Sequence, residues 1–134
     1  MKNKILCIDD DAQFLMLLKR RLSERYDVDT TTSTVKGLKL INENDYYCLI
    51  FDYDMPEYNG IDLAKIVKKN PRLCNIPIIL ITGMADETIQ QLAIDNGISV
   101  YFLKTINIDY DLIATQIESL TTLHRITNGL NTIN

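Results

Sequence analysis

The sequence is poor in the residues that would staple it, bind metal through soft ligands or anchor it in a membrane. Cysteine occurs three times, as Cys7, Cys48 and Cys74. An odd number of widely spaced thiols with no CxxC pair excludes a disulfide framework and a zinc site. Cys7 and Cys48 lie in apolar runs, where buried and inert thiols are expected. The single histidine, His124, reads as an exposed side chain near the end of the chain and not as a phosphodonor. Long apolar stretches are missing too. None approaches the ~20 residues that cross a bilayer, and the run behind the basic start Met1-Lys2-Asn3-Lys4 stops at Ile8, too early for a signal peptide. Nor is there a basic excess: 14 Lys and Arg against 18 Asp and Glu leave a net charge of −4, with no basic stripe. That balance disfavours nonspecific binding to nucleic acid. No internal repeat or low-complexity segment is present. These absences predict one cytoplasmic globular domain, which a length of 134 residues suits.

What is present is a regular alternation. The apolar runs Ile5-Leu6-Cys7-Ile8, Cys48-Leu49-Ile50-Phe51, Ile78-Ile79-Leu80-Ile81 and Val100-Tyr101-Phe102-Leu103 predict strands buried on both faces. Tyr26 to Thr32 alternates apolar with polar and predicts a less buried edge strand. Between them, Phe14, Leu15, Leu18 and Leu22 share one face of a helix over about 12–25, with Asp11 placed to cap it. Val35, Leu38 and Ile41 mark a second helix, and Ile61, Ala64, Ile66 and Val67 a third. Ile89, Leu92 and Ala93 mark a fourth, stopped by Asn96-Gly97. Ile113, Ile117 and Leu120 mark a fifth. Strand and helix in strict alternation predict an α/β fold: a doubly wound, five-stranded parallel sheet of order 2-1-3-4-5, flavodoxin-like, with helices on both faces. Leu120, Leu123, Thr127 and Leu130 keep a 3-4-3 spacing, so 121–134 is expected to be a helical tail or a linker.

The polar residues that end the buried runs carry the chemistry. The first run ends in Asp9-Asp10-Asp11, the second in Asp52, the third in Thr82-Gly83 and the fourth in Lys104. In a parallel sheet all four ends lie on the carboxyl edge, where open α/β sheets bind ligands. Clustered carboxylates repel, and a hard divalent cation such as Mg²⁺ relieves that repulsion through oxygen ligands. Lys104 supplies a further positive charge. The Thr82 hydroxyl and the Gly83 N–H can donate to phosphate oxygens, and a side chain at 83 would crowd that approach. Phosphoryl transfer needs positioning and charge neutralisation above all, and an aspartate beside a metal, a lysine and a hydroxyl provides both.

Ile8-Asp9-Asp10, Phe51-Asp52-Tyr53-Asp54-Met55-Pro56 with Gly60, Thr82-Gly83 and Tyr101-Phe102-Leu103-Lys104 together resemble the receiver domain of two-component response regulators, over about 3–120. The resemblance implies that Asp52 accepts a phosphoryl group from a histidine kinase or phosphotransfer protein. It implies that Asp10 ligates Mg²⁺ directly, with Asp9, Asp52 and the backbone carbonyl of Asp54 completing the metal set. Lys104 is implied to pair with Asp52 and then with the phosphoryl group. Thr82 and Tyr101 are implied to be the moving switch pair, altering the surface of the fourth helix, fifth strand and fifth helix for a downstream protein, an output domain or a second copy of the chain. Uptake would be self-catalysed and loss of the group slow, so the chain is expected to be a phosphoacceptor and not an enzyme in the ordinary sense.

Three positions depart from the pattern or tune it. Thr105 stands where the family usually has proline, which predicts a trans peptide after Lys104 and a differently aimed ammonium. Asp54 and Met84, each two residues past a chemical position, are expected to set the lifetime of the phosphorylated state. Among rivals, a haloacid-dehalogenase-type phosphatase shares the Asp52-Tyr53-Asp54 spacing. It places its acidic pair after the lysine, whereas here that pair comes first. A flavodoxin-like carrier would need a Ser/Thr/Gly-rich loop where Asp9-Asp10-Asp11 stands. A degenerate, binding-only receiver would not need all five chemical positions filled.

Overall fold

Three of the four continuous apolar runs terminate at a charged residue just past the strand, Asp9, Asp52 or Lys104, and the fourth ends at Thr82, the last residue of its strand. The computed structural model describes residues 1–83 and 86–133, with the backbone alone at 124, 125 and 127–133. The strands are β1 (Asn3–Ile8), β2 (Tyr26–Thr31), β3 (Cys48–Phe51), β4 (Ile78–Thr82) and β5 (Val100–Leu103). The helices are α1 (Ala12–Leu22), α2 (Thr34–Glu43), α3 (Gly60–Lys69), α4 (Glu87–Asp95) and α5 (Tyr110–Ile133). All pairings are parallel, in the order β2-β1-β3-β4-β5. The expected fold class is therefore the observed one.

The continuous apolar runs are explained by two cores. Leu6 and Ile8 of β1, Leu49 and Phe51 of β3 and Ile78 and Leu80 of β4 point to the face covered by α2, α3 and α4. Ile5, Cys7, Cys48, Ile50, Ile79 and Ile81 point to the face covered by α1 and α5. Successive residues alternate between faces, so a strand with helices on both sides needs an apolar residue at every position. Cys7 and Cys48 are buried, and burial pushes their thiols up, Cys48 to about 12.

Three details differ from the sequence expectation. α1 ends at Leu22, because Arg25 N–H donates to the Leu22 carbonyl and turns the chain into β2. β5 is only half-buried and Leu103 is exposed, because β5 is an edge strand paired with β4 alone. Val35, Ile66 and Leu92 lie on exposed faces of their helices. On α2 the inward positions include Thr34, Gly37 and Ile41.

α5 continues without a break past residue 120, and Thr121 on it is still buried. Its register is held at the amino edge of the sheet. Tyr26 Oη donates to Glu118 Oε1 (2.7 Å), Tyr47 Oη donates to Glu118 Oε2 (3.3 Å), and Thr121 Oγ1 donates to Tyr47 Oη (2.7 Å). The other end of the sheet, where the strands finish, is left to the loops.

Asn59 and Asp62 form a reciprocal capping box at the start of α3. The box brings Gly60 against the backbone after β3. A Cβ on Gly60 would collide with the carbonyl oxygen of Asp52 and stand 2.6 Å from Leu80 Cδ1. Glycine is thus required by close approach, and the approach holds the Asp52 backbone in place. Gly60→Ala is expected to destabilise the chain by about 2–3 kcal/mol, read as a lowered urea midpoint. An unchanged midpoint would show that the loop yields freely and does not brace Asp52.

Candidate phosphoacceptor and metal site

Asp9 and Asp52 are the first residues beyond β1 and β3, and Asp52 N–H donates to the Ile8 carbonyl at 3.0 Å. That cross-strand bond sets the two carboxylates side by side. Asp9 is 1% exposed and Asp52 6%, while Asp10 is exposed. Carboxylate oxygens of Asp9, Asp10 and Asp52 all lie within 4.8 Å of one another. Asp11 caps α1: its Oδ1 accepts from Phe14 N–H at 3.1 Å. Asp9 Oδ1 accepts from Asp11 N–H at 2.9 Å.

Lys104 enters from the end of β5, its N–H donating to the Thr82 carbonyl at 2.7 Å. Its ammonium lies 2.7 Å from Asp9 Oδ2 and 3.8 Å from Asp52 Oδ2. Lys104 thus reaches Asp52, the partner that the resemblance implied, and lies closer still to Asp9. The Lys104–Thr105 peptide is trans, as the threonine predicted. The same ammonium sits 4.5 Å from the centroid of the Phe14 ring. Sequence reasoning placed Phe14 only on the core face of α1. The signal available was an aromatic residue in the first turn of the helix that follows the acidic triplet.

Electrostatics follow from burial and crowding. Burial, and then the charge of Asp9, push the Asp52 carboxyl up to about 7. Asp9 is raised as well, burial outweighing the opposing effect of Lys104. Burial alone would pull Lys104 down, but Asp9 and Asp52 outweigh it and hold the ammonium above the usual lysine range. One ammonium thus faces three carboxyl groups, and the surplus of negative charge invites a cation. Asp9 Oδ2 is fully buried and takes the Lys104 ammonium at 2.7 Å, which leaves Asp10 and Asp52 with the weaker share of that one charge. An all-oxygen set with one exposed member suits a hard divalent ion that keeps part of its water shell.

The remaining expected residues fall around this cluster. Thr82 ends β4 and is fully buried. Gly83 is exposed, and a Cβ there would meet no atom of the described residues within 4 Å. Packing among the described residues does not demand glycine at this position; the expected crowding is that of an incoming group. Tyr101 is half-buried and packs against the core on the α4 side, beside Leu80 in the β4–β5 register. Asp54 is exposed on the loop after β3. Met84 lies outside the described residues, and the side chain of His124 does too.

Comparison with known proteins agrees with this geometry. Residues 5–116 match the family model of the response regulator receiver domain. The transcriptional regulatory protein SrrA of Staphylococcus aureus is 30% identical over 105 residues, which cover 78% of this chain and 42% of SrrA. The chain thus aligns with less than half the length of that relative. A CheY-like receiver domain protein from Methanospirillum hungatei superposes with a TM-score of 0.85 at 22% identity, covering 95% of this chain and 99% of the other, and shows the fold alone. The response regulator TrrA of Thermotoga maritima, solved in complex with Mg²⁺ and a beryllium fluoride, is 27% identical with a TM-score of 0.76, covering 90% and 99%. With its sheet order, its acidic edge and a family match over most of its length, this chain belongs to the receiver domains of two-component response regulators.

Proposed function

We propose that the chain is a phosphorylation-operated switch in which Asp52 takes a phosphoryl group from a histidine kinase or phosphotransfer protein. The observation that carries this reading is the buried Asp52 carboxylate, set within reach of two more carboxylates and the Lys104 ammonium at the carboxyl edge of the sheet. An Asp52 oxygen attacks phosphorus, the P–N bond to the donor imidazole breaks, and the imidazole leaves with the bonding pair. Asp9, Asp10, Asp52 and the Asp54 carbonyl would hold Mg²⁺, which when bound supplies the charge that keeps Asp52 ionised and neutralises phosphoryl oxygens. Lys104, anchored on Asp9 and 3.8 Å from Asp52, covers one phosphoryl oxygen. The Thr82 hydroxyl and the Gly83 N–H donate to others, Gly83 having open space beside it.

Movement of Thr82 towards the phosphoryl group draws Tyr101 inward from its half-buried position. The readout surface is the face of α4, β5 and α5, where Leu92, Ile94 and Leu103 are exposed. A downstream protein, an output domain or a second copy of the chain would bind there, and 121–134 would serve as the helical tail or linker. SrrA is named a transcriptional regulator. Any such output here would run through a partner or another domain, since this chain's net charge of −4 does not favour contact with nucleic acid. Asp54 and Met84 would set how slowly the acyl phosphate is lost, and the cytoplasm is where such a switch works. Among the described residues no helix is long and apolar enough to cross a membrane.

Two measurements test the site. Intact-mass analysis after incubation with Mg²⁺ and acetyl phosphate should show one phosphoryl adduct, absent without the metal and absent in Asp52→Ala. An adduct on Asp52→Ala of equal yield would move the acceptor elsewhere. The second test is stability. Asp52 titrates near 3.8 when unfolded and near 7 when folded, so the folded metal-free chain keeps a proton that the unfolded chain loses between those values. Its contribution to stability is full below about pH 4 and is lost as pH rises through about 7. Metal-free Asp52→Asn should therefore be about 1–3 kcal/mol more stable than wild type at pH 8, with the gap closing towards pH 4. Urea unfolding at both pH values checks this, and a variant less stable than wild type at pH 8 would mean that Asp52 is not held against its charge.

A further inference from the structure

The acidic triplet and the lysine leave one contact of the site without a role: the ring of Phe14 beneath the Lys104 ammonium. The ammonium ends a flexible four-carbon stem, and the chain on its far side gives it little support. Thr105, Ile106 and Asn107 are all exposed, Ile106 completely. Thr105 also lacks the ring that a proline would place there. Among the described residues, backbone restraint comes from upstream, through the bond from Lys104 N–H to the Thr82 carbonyl. The position of the charge must then be decided by what surrounds it.

Asp9 and Asp52 attract it from one direction. The Phe14 centroid, 4.5 Å from Nζ, lies within the range in which the face of an aromatic ring binds a cation. The ring is itself 7% exposed and belongs to the core between α1, α5 and the sheet, so its place is set by packing. Its backbone is fixed as well, because Phe14 N–H donates to the Asp11 side chain. The triplet thus divides its work. Asp9 pairs with the lysine, Asp10 is exposed at the mouth, and Asp11 sets the first turn of α1 that presents the ring.

We propose that Phe14 is a positioning residue for Lys104: its ring holds the ammonium over the acidic cluster, so that the charge already stands beside Asp52 when a phosphoryl group arrives. The role rests on the phosphoacceptor reading above. A leucine at this position keeps the burial and loses the charge-binding face; a tyrosine keeps both.

The test reads geometry and rate separately. In carbon-13 NMR of the intact chain, the Lys104 ε-CH₂ protons, assigned by their loss in Lys104→Met, should be shifted upfield by the ring current. The shift should vanish in Phe14→Leu and persist in Phe14→Tyr. Phosphoryl uptake from acetyl phosphate with Mg²⁺ should slow by about three- to tenfold in Phe14→Leu and recover in Phe14→Tyr. In a Lys104→Met background, Phe14→Leu should cause no further slowing, because the cation it acts through is gone. An unshifted ε-CH₂ in the wild type overturns the contact, whatever the rates. A wild-type rate in Phe14→Leu, or an equal slowing with and without Lys104, overturns the positioning role. A shifted resonance on a wild-type chain that forms no adduct even with a kinase sinks the phosphoacceptor reading, and the positioning role falls with it.

Discussion

Everything at the carboxyl edge of this sheet depends on an imbalance of charge. Three carboxyl groups converge within 4.8 Å, two of them buried, and one ammonium faces them. Repulsion of this kind is costly in a low-dielectric site: with burial it raises the carboxyls of Asp9 and Asp52, that of Asp52 to about 7, and it draws Lys104 in. The fold supports that cost through the two cores behind the edge.

The same imbalance explains where Lys104 points. A lysine placed for the acceptor alone would lie on Asp52. Here it is closest to Asp9, the more deeply buried carboxylate, with Asp52 second and the Phe14 ring as the third neighbour. Binding of a cation by the carboxylates would weaken the hold of Asp9 on the ammonium and leave it free to follow the phosphoryl oxygens. On the proposed reading, metal binding and the orientation of the lysine would thereby be linked through shared carboxylates.

At the other edge of the sheet the chemistry is of a different kind. Glu118 is held by two tyrosine hydroxyls, and Thr121 continues the chain of donors. Its work is to hold α5 against the sheet so that the β5–α5 side is presented in a fixed register. Separation of a reactive edge from a bracing edge is what a parallel sheet with helices on both faces readily provides.

The order of strands, the burial of Cys7 and Cys48 and the polar residue at each strand end were legible in the sequence. These are local signals: an apolar residue at every position of a short run, a turn former or capping residue after it, and a period that switches from 2 to 3.6. The set Asp9, Asp10, Asp52, Thr82 and Lys104 followed from those strand ends and from parallel topology. What the sequence could not contain were distances between segments far apart along the chain. That Lys104 is nearer Asp9 than Asp52, that the Phe14 ring lies under the ammonium, that Gly60 abuts the Asp52 carbonyl and that β5 is left half-exposed were decided by tertiary packing. Side-chain identity names the charges that a site will hold. Their order of contact depends on differences of about an ångström, and only the packed elements set those.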